Sequence, residues 1–151
     1  MCRNNAGSRK GFTLVELAVV IVIIGVLAAF GVPQFLKSVE RSKAAEAFNY
    51  LAAVRAAQER YLAKEGIYAT NLTDLDIVQT APKYFNNPTV MDTGFPTSDG
   101  GSPHWQLTLT RNSTSSSYGG YTVTFAETGY DKSTAAGTVG AYPDINPMGS
   151  N

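Results

Sequence analysis

From Leu17 to Leu36 the chain runs for twenty residues without a charge, dense in Val, Ile, Leu and Ala as far as Phe30. As a helix, that stretch spans roughly 30 Å, the thickness of a bilayer's hydrocarbon core. The whole chain has 151 residues, which leaves room for one modest globular domain beside this segment, not two. One acid, Glu16, lies among the hydrophobes between Phe12 and Phe30. A carboxylate deep in a bilayer costs about 2.5–3.5 kcal/mol on insertion scales. Near the end of the segment it can reach the interface instead.

Charge is unevenly placed. The formal net charge is zero, so bulk attraction to nucleic acid or anionic lipid is not expected. Arg3, Arg9 and Lys10 nevertheless sit ahead of the apolar run with no acid among residues 1–11. Loss of those eleven residues would leave a mildly acidic chain. The basic leader predicts a cytoplasmic N-terminus and a C-terminal bulk across the membrane. Lys37, Arg41 and Lys43, against Glu40 alone, pull the other way, but the leader is adjacent and wholly basic. A cleaved secretory signal is the alternative. It requires a small-x-small site at the end of the apolar run, and Ala28-Ala29-Phe30-Gly31 is a poor one.

Cutting the Gly11–Phe12 bond would remove the three basic residues and create an α-amine four residues before Glu16. A helix starting there has an acid in its first turn, which the helix dipole favours. Glu16 of one copy and the Phe12 amine of another are then of opposite sign at nearly matching depth.

Gly11-Phe12-Thr13-Leu14-Val15-Glu16, behind a basic leader and ahead of a long apolar helix, resembles the class III leader of type IV pilins and type II secretion pseudopilins. The close resemblance covers about residues 1–45. It implies that a prepilin peptidase cuts after Gly11 and that Phe12 is N-methylated. It also implies that Glu16, with Thr13 beside it, serves filament assembly. Pro33 matches a proline that the family places near the end of the membrane stretch. The implied function is a structural one, a prepilin polymerised into a type IV pilus-like filament; the alternative is a major-type pseudopilin of a type II secretion system. A membrane-tethered binding module is a third reading, from a different class. The implied partners are copies of the chain itself, the peptidase, the pilus or secretion assembly machinery and the inner membrane. Before assembly the C-terminal domain would lie in the periplasm, and afterwards in an extracellular pilus or a periplasmic pseudopilus.

Beyond Pro33 the pattern turns amphipathic. Ala44, Phe48, Leu51, Val54, Tyr61 and Leu62 recur at helical spacing, apart from the turn that carries Gln58. Glu40, Lys43, Glu46, Arg55, Glu59 and Arg60 lie mostly off that stripe, and Gly66 suits a helix C-cap. A helix from Phe12 to about Glu65 would be roughly 80 Å long, so half of it projects into water. Gly31 and Pro33 are its weak points, for either a static kink or a local unwinding on fibre packing.

Residues 66–103 are rich in Pro, Asn, Gly, Thr and Asp and read as a connecting region with one short helix near Leu72–Ile77. Alternation predicts strands over His104–Thr110 and Tyr121–Phe125, joined by a flexible hairpin loop, "RNSTSSSYGG". A third strand near Thr134–Tyr142 is weakened by Gly137 and Gly140. The fold class is therefore α+β, a long N-terminal helix on a small antiparallel sheet, which the resemblance implies as the pilin fold. The expected division is a leader at 1–11, a membrane or filament-core helix at 12–36 and its amphipathic half at 37–65. A loop region at 66–103 and a sheet region at 104–151 complete it.

Candidate chemistry is sparse. His104 is the one histidine and Cys2 the one cysteine, which argues against a zinc site, a disulfide or a nucleophilic triad. No phosphate-binding G-x-x-x-x-G-K-[ST] loop occurs, and no enzyme activity is expected. Asn71-Leu72-Thr73 and Asn112-Ser113-Thr114 are formal glycosylation sequons. No cofactor is expected; Asp92, Asp99, Asp131 and Asp144, in C-terminal loops, are candidate calcium ligands, although their spacing is not that of an EF-hand.

Overall fold

The computed structural model describes residues 11–86, 91–94, 104–133 and 135–148. Helix α1 covers Leu14–Glu65 and is helical at both Gly31 and Pro33, without interruption. It ends where Gly66 adopts a left-handed φ of 78° and donates its N–H to the Leu62 carbonyl at 2.8 Å. Glycine takes that conformation without steric cost, so it terminates the helix as its position suggested.

The chain divides into two compact units, residues 1–36 and 37–151. In the first, every described residue is exposed, from Gly11 through Leu36. In the second, the helix buries Glu40, Ala44, Ala47, Phe48, Tyr50, Leu51, Val54, Ala57 and Gln58. Spacings of three and four place most of these on one stripe.

That sheet has five antiparallel strands: β1 (Phe85–Asn86), β2 (Asp92–Gly94), β3 (His104–Arg111), β4 (Thr122–Ala126) and β5 (Gly129–Tyr130). β3 is its centre. Thr110 is partnered by both Asn86 and Thr122, and Gln106 by both Asp92 and Ala126, so β1 and β2 share the edge of β3 opposite β4. β5 extends the sheet beyond β4. Strict alternation sends Trp105, Leu107, Leu109 and Arg111 to the buried face of β3. Tyr121, Val123 and Phe125 do the same beside them. They pack with Ala47, Phe48, Leu51 and Val54 in one core, where Phe48 meets Phe125 edge-on at 5.7 Å.

Three expectations need correction. The short helix at Leu72–Ile77 is only a 3-10 turn over Leu72–Asp74. The third strand at Thr134–Tyr142 does not form among the described residues. Instead the Gly137 carbonyl takes the Thr122 N–H at 2.7 Å, Thr138 makes one isolated parallel bridge to Thr122, and Val139–Ala141 coils into a 3-10 turn. The strands not anticipated are β1, β2 and β5, each of two or three residues and too short to show an alternation. Finally, "RNSTSSSYGG" is not a loop throughout: Arg111 closes β3, Asn112 Oδ1 accepts the Thr114 N–H, and Ser113–Ser115 form a 3-10 turn.

Candidate functional site

The first turn of α1 is built by two side chains. Thr13 precedes the helix, and its N–H and Oγ1 both donate to Glu16 Oε2, at 2.9 and 2.8 Å. In return the Glu16 N–H donates to Thr13 Oγ1 at 3.2 Å. This is a reciprocal capping box: the threonine hydroxyl satisfies an orphan helix N–H, and the glutamate satisfies the N–H of the capping residue. The Thr-x-x-Glu spacing ahead of an apolar run was the available signal for it. Sequence reasoning placed Glu16 in the first turn without seeing that Thr13 holds it there.

The cap uses one carboxylate oxygen. Glu16 Oε1 carries no hydrogen bond among the described residues, so it can accept a further donor. Gly11 and Phe12 lie outside the helix and are exposed, Phe12 at 78%. From Phe12 to Leu36 the large apolar side chains are between 47% and 88% exposed. Burial of each is worth about 1.5–3 kcal/mol, so this surface favours lipid or other apolar helices strongly over water. Gly31 and Pro33 fall near its end.

The other residues that sequence reasoning singled out do not gather into a second site. Asp131 accepts the Ser133 N–H at 3.0 Å, and Asp144 accepts the Tyr118 hydroxyl at 3.0 Å and pairs with Lys37 at 3.5 Å. Asp92 lies in β2, and Asp99 lies outside the described residues. No group of three or more His, Cys, Asp and Glu converges among the described residues. His104 is exposed at the start of β3. Asn71 bonds its neighbours Thr70 and Asp74, and Asn112 caps its own turn.

Sequence reasoning missed a buried ionic centre in the second unit. Glu40, on α1, pairs with Arg111 at 2.7 Å, and both side chains are almost wholly withdrawn from solvent. Arg111 sits at i+6 from Trp105 on the inward row of β3, and that parity was its signal.

Residues 7–32 match a family model described as the prokaryotic N-terminal methylation motif. The chain is 38% identical over 87 residues to the fimbrial protein EcpC of Eikenella corrodens, covering 57% of each. It is 43% identical over 60 residues to the type IV major pilin protein PilA of Myxococcus xanthus, covering 40% of this chain and 27% of that one. It is also 36% identical over 74 residues to the type II secretion system core protein G of Vibrio cholerae, covering 49% and 51%. The matches thus span from about a quarter to somewhat over half of these relatives' own length. No solved structure matches the chain.

Proposed function

We propose that this chain, which belongs to the family of type IV pilins and type II secretion pseudopilins, is a prepilin cut between Gly11 and Phe12, N-methylated on Phe12 and polymerised into a type IV pilus-like filament. A pilin-like subunit is a structural protein, not an enzyme, and its relatives imply self-assembly together with pilus or secretion machinery. The observation that carries the proposal is the exposed apolar surface from Phe12 to Leu36, lying largely within the matched residues 7–32. Before assembly that surface would sit in the inner membrane, with the C-terminal domain in the periplasm. In the filament, identical helices would replace the lipid.

Glu16 has two tasks in this reading. Oε2 caps its own helix, and Oε1 receives the α-amine of a neighbouring copy's Phe12. That amine exists only after a prepilin peptidase has cut after Gly11. Gly31 and Pro33 are where the helix would yield on packing, since proline removes one N–H from the ladder.

The mass of the mature N-terminal peptide tests the processing step. It should begin with N-methylated Phe12; intact Met1, or a cut near Ala29, overturns the proposal. Glu16→Gln separates the two tasks, because glutamine still serves a capping box but carries no charge. Filament yield should collapse in both Glu16→Gln and Glu16→Ala, with processing largely intact. Normal filaments from Glu16→Gln would refute the charge pairing.

The pseudopilin reading has one specific support, the likeness to the type II secretion system core protein G of Vibrio cholerae. Purified surface filaments whose subunit is this chain favour the pilin. A secretion defect in a deletion strain that retains its surface filaments favours the pseudopilin.

A further inference from the structure

Glu40 collects donors from every element around it. Its Oε1 accepts Arg111 Nε at 2.7 Å, the Tyr121 hydroxyl at 3.1 Å and Ser116 Oγ at 3.3 Å. Its Oε2 accepts Arg111 Nη2 and Lys43 Nζ, each at 3.3 Å. Arg111 then uses Nη1 on two carbonyls, Tyr84 at 3.1 Å and Asn112 at 2.9 Å. One carboxylate thus ties α1 to the end of β3, to the hairpin segment before β4 and, through the guanidinium, to the chain entering β1.

We infer that the Glu40–Arg111 pair is an acid-releasable latch that holds the 112–121 hairpin segment onto α1. The charge balance of the centre supports this. Two cations, Arg111 and Lys43, face one carboxylate, and both lie over the Tyr84 ring, at 5.4 and 4.9 Å. Lys83 is the third cation over that ring, at 5.9 Å. The neighbouring acids are already engaged: Glu46 accepts the Lys83 N–H, and Asp144 is held by Tyr118 and Lys37. Tyr118 and Tyr121 supply the hydroxyl groups nearby, and phenols, which ionise at about pH 10, are neutral throughout the acid range. Protonating Glu40 therefore leaves the buried Arg111 guanidinium, with the partly exposed Lys43 ammonium beside it, without that carboxylate. A buried guanidinium that loses its counterion costs several kcal/mol, and outward movement of the hairpin segment, which admits water to it, relieves that cost.

The direction in pH follows from the site. Burial raises the Glu40 carboxyl, but the hydrogen bonds and charges of Arg111 and Lys43 outweigh it and leave it below its ordinary value of 4.5. A depressed folded value means a contribution present above about 4.5 and lost as pH falls through that lower value. The latch is thus closed at neutral pH and opens only in acid. Apolar side chains could hold the hairpin as well, but they could not let it go with pH. The inference concerns residues 37–151 alone and does not depend on how the chain is processed.

Amide resonances of Asn112–Tyr121 in the full-length protein, held in detergent micelles, test it by titration from about pH 6 to about pH 2. They should shift together with one midpoint below 4.5, while those of Leu107 and Val123 in mid-sheet stay unmoved. Glu40→Gln should show the displaced hairpin already at neutral pH. The double variant Glu40→Met, Arg111→Met should keep the hairpin docked and lose the titration. It remains informative if Glu40→Gln fails to fold. A wild-type hairpin unmoved across the range, or a double variant with the wild-type midpoint, overturns the latch.

Discussion

Gln58 offers the sharpest quantitative test of how the second unit is held together. Its side chain is fully buried on α1, and it serves both backbone groups of one residue beyond the helix end. Oε1 accepts the Ala69 N–H at 2.9 Å, and Nε2 donates to the Ala69 carbonyl at 2.8 Å and to Met91 Sδ at 3.1 Å. Ala69 and Met91 are themselves buried, so no solvent is at hand to replace these bonds. Gln58→Met nearly conserves volume and shape but strands the N–H and the carbonyl of Ala69 together. Each buried group left unpaired costs about 1–3 kcal/mol, so the expected loss is about 2–6 kcal/mol, less whatever the 66–71 segment recovers by lifting away. Urea unfolding of the full chain in detergent, followed through the buried Trp105, reads the loss. Hydrogen exchange at the Ala69 amide identifies its cause. A change below about 0.5 kcal/mol, with Ala69 as protected as before, would refute the idea that this side chain pins the loop.

Leu51→Ala removes a fully buried side chain facing the sheet and should lower unfolding free energy by about 2–5 kcal/mol, measured by the same urea series. Gly140→Ala puts a Cβ into the Ser133 carbonyl, to which the Thr138 hydroxyl donates, so the melting temperature should fall. Tyr121 is held neutral by burial, reinforced by Glu40, so its ionisation should lag the exposed tyrosines in an alkaline absorbance titration. A raised folded value contributes stability that is complete below about 10 and lost as pH rises beyond it, and Tyr121→Phe should abolish that alkaline loss. Asp76→Asn breaks the exposed pair with Arg60 and should leave the urea midpoint unchanged, because solvent already screens it.

How far the sequence could be read depended on whether a residue's chemistry agreed with its position. β3 and β4 were legible because Trp105, Leu107, Leu109, Val123 and Phe125 alternate cleanly over residues that all belong indoors. Arg111 continues the same alternation, but a charged residue next to Asn112 reads as the start of a loop. Only the carboxylate of Glu40, seventy-one residues earlier, makes its inward position tenable. Gln58 follows the same logic on the helix: it occupies an inward turn, and its partner is a backbone that no side-chain pattern reveals. The strand expected near Thr138 failed for another reason. Gly137, at a φ of 91°, turns the chain just ahead of the single bridge at Thr138, the 3-10 turn of Val139–Ala141 follows directly, and the short β5 pairs with β4 instead. At the N-terminus the Thr-x-x-Glu spacing of Thr13 and Glu16 carries the box, which the charge of Glu16 alone does not reveal.

Thr13 and Glu16 both lie after the Gly11–Phe12 bond, so the capping box that opens α1 is built wholly on one side of it. Hydrolysis there would change the electrostatics of the N-terminus and leave its architecture untouched. The side chain of Glu16 is already confined to one rotamer by its own helix, whatever becomes of the leader. An incoming ammonium would therefore meet an ordered acceptor, and the rotational entropy that a free glutamate loses on pairing would have been surrendered beforehand, within the monomer. Under the proposed pairing, the cap would prepare inside each chain much of what recognition between chains requires.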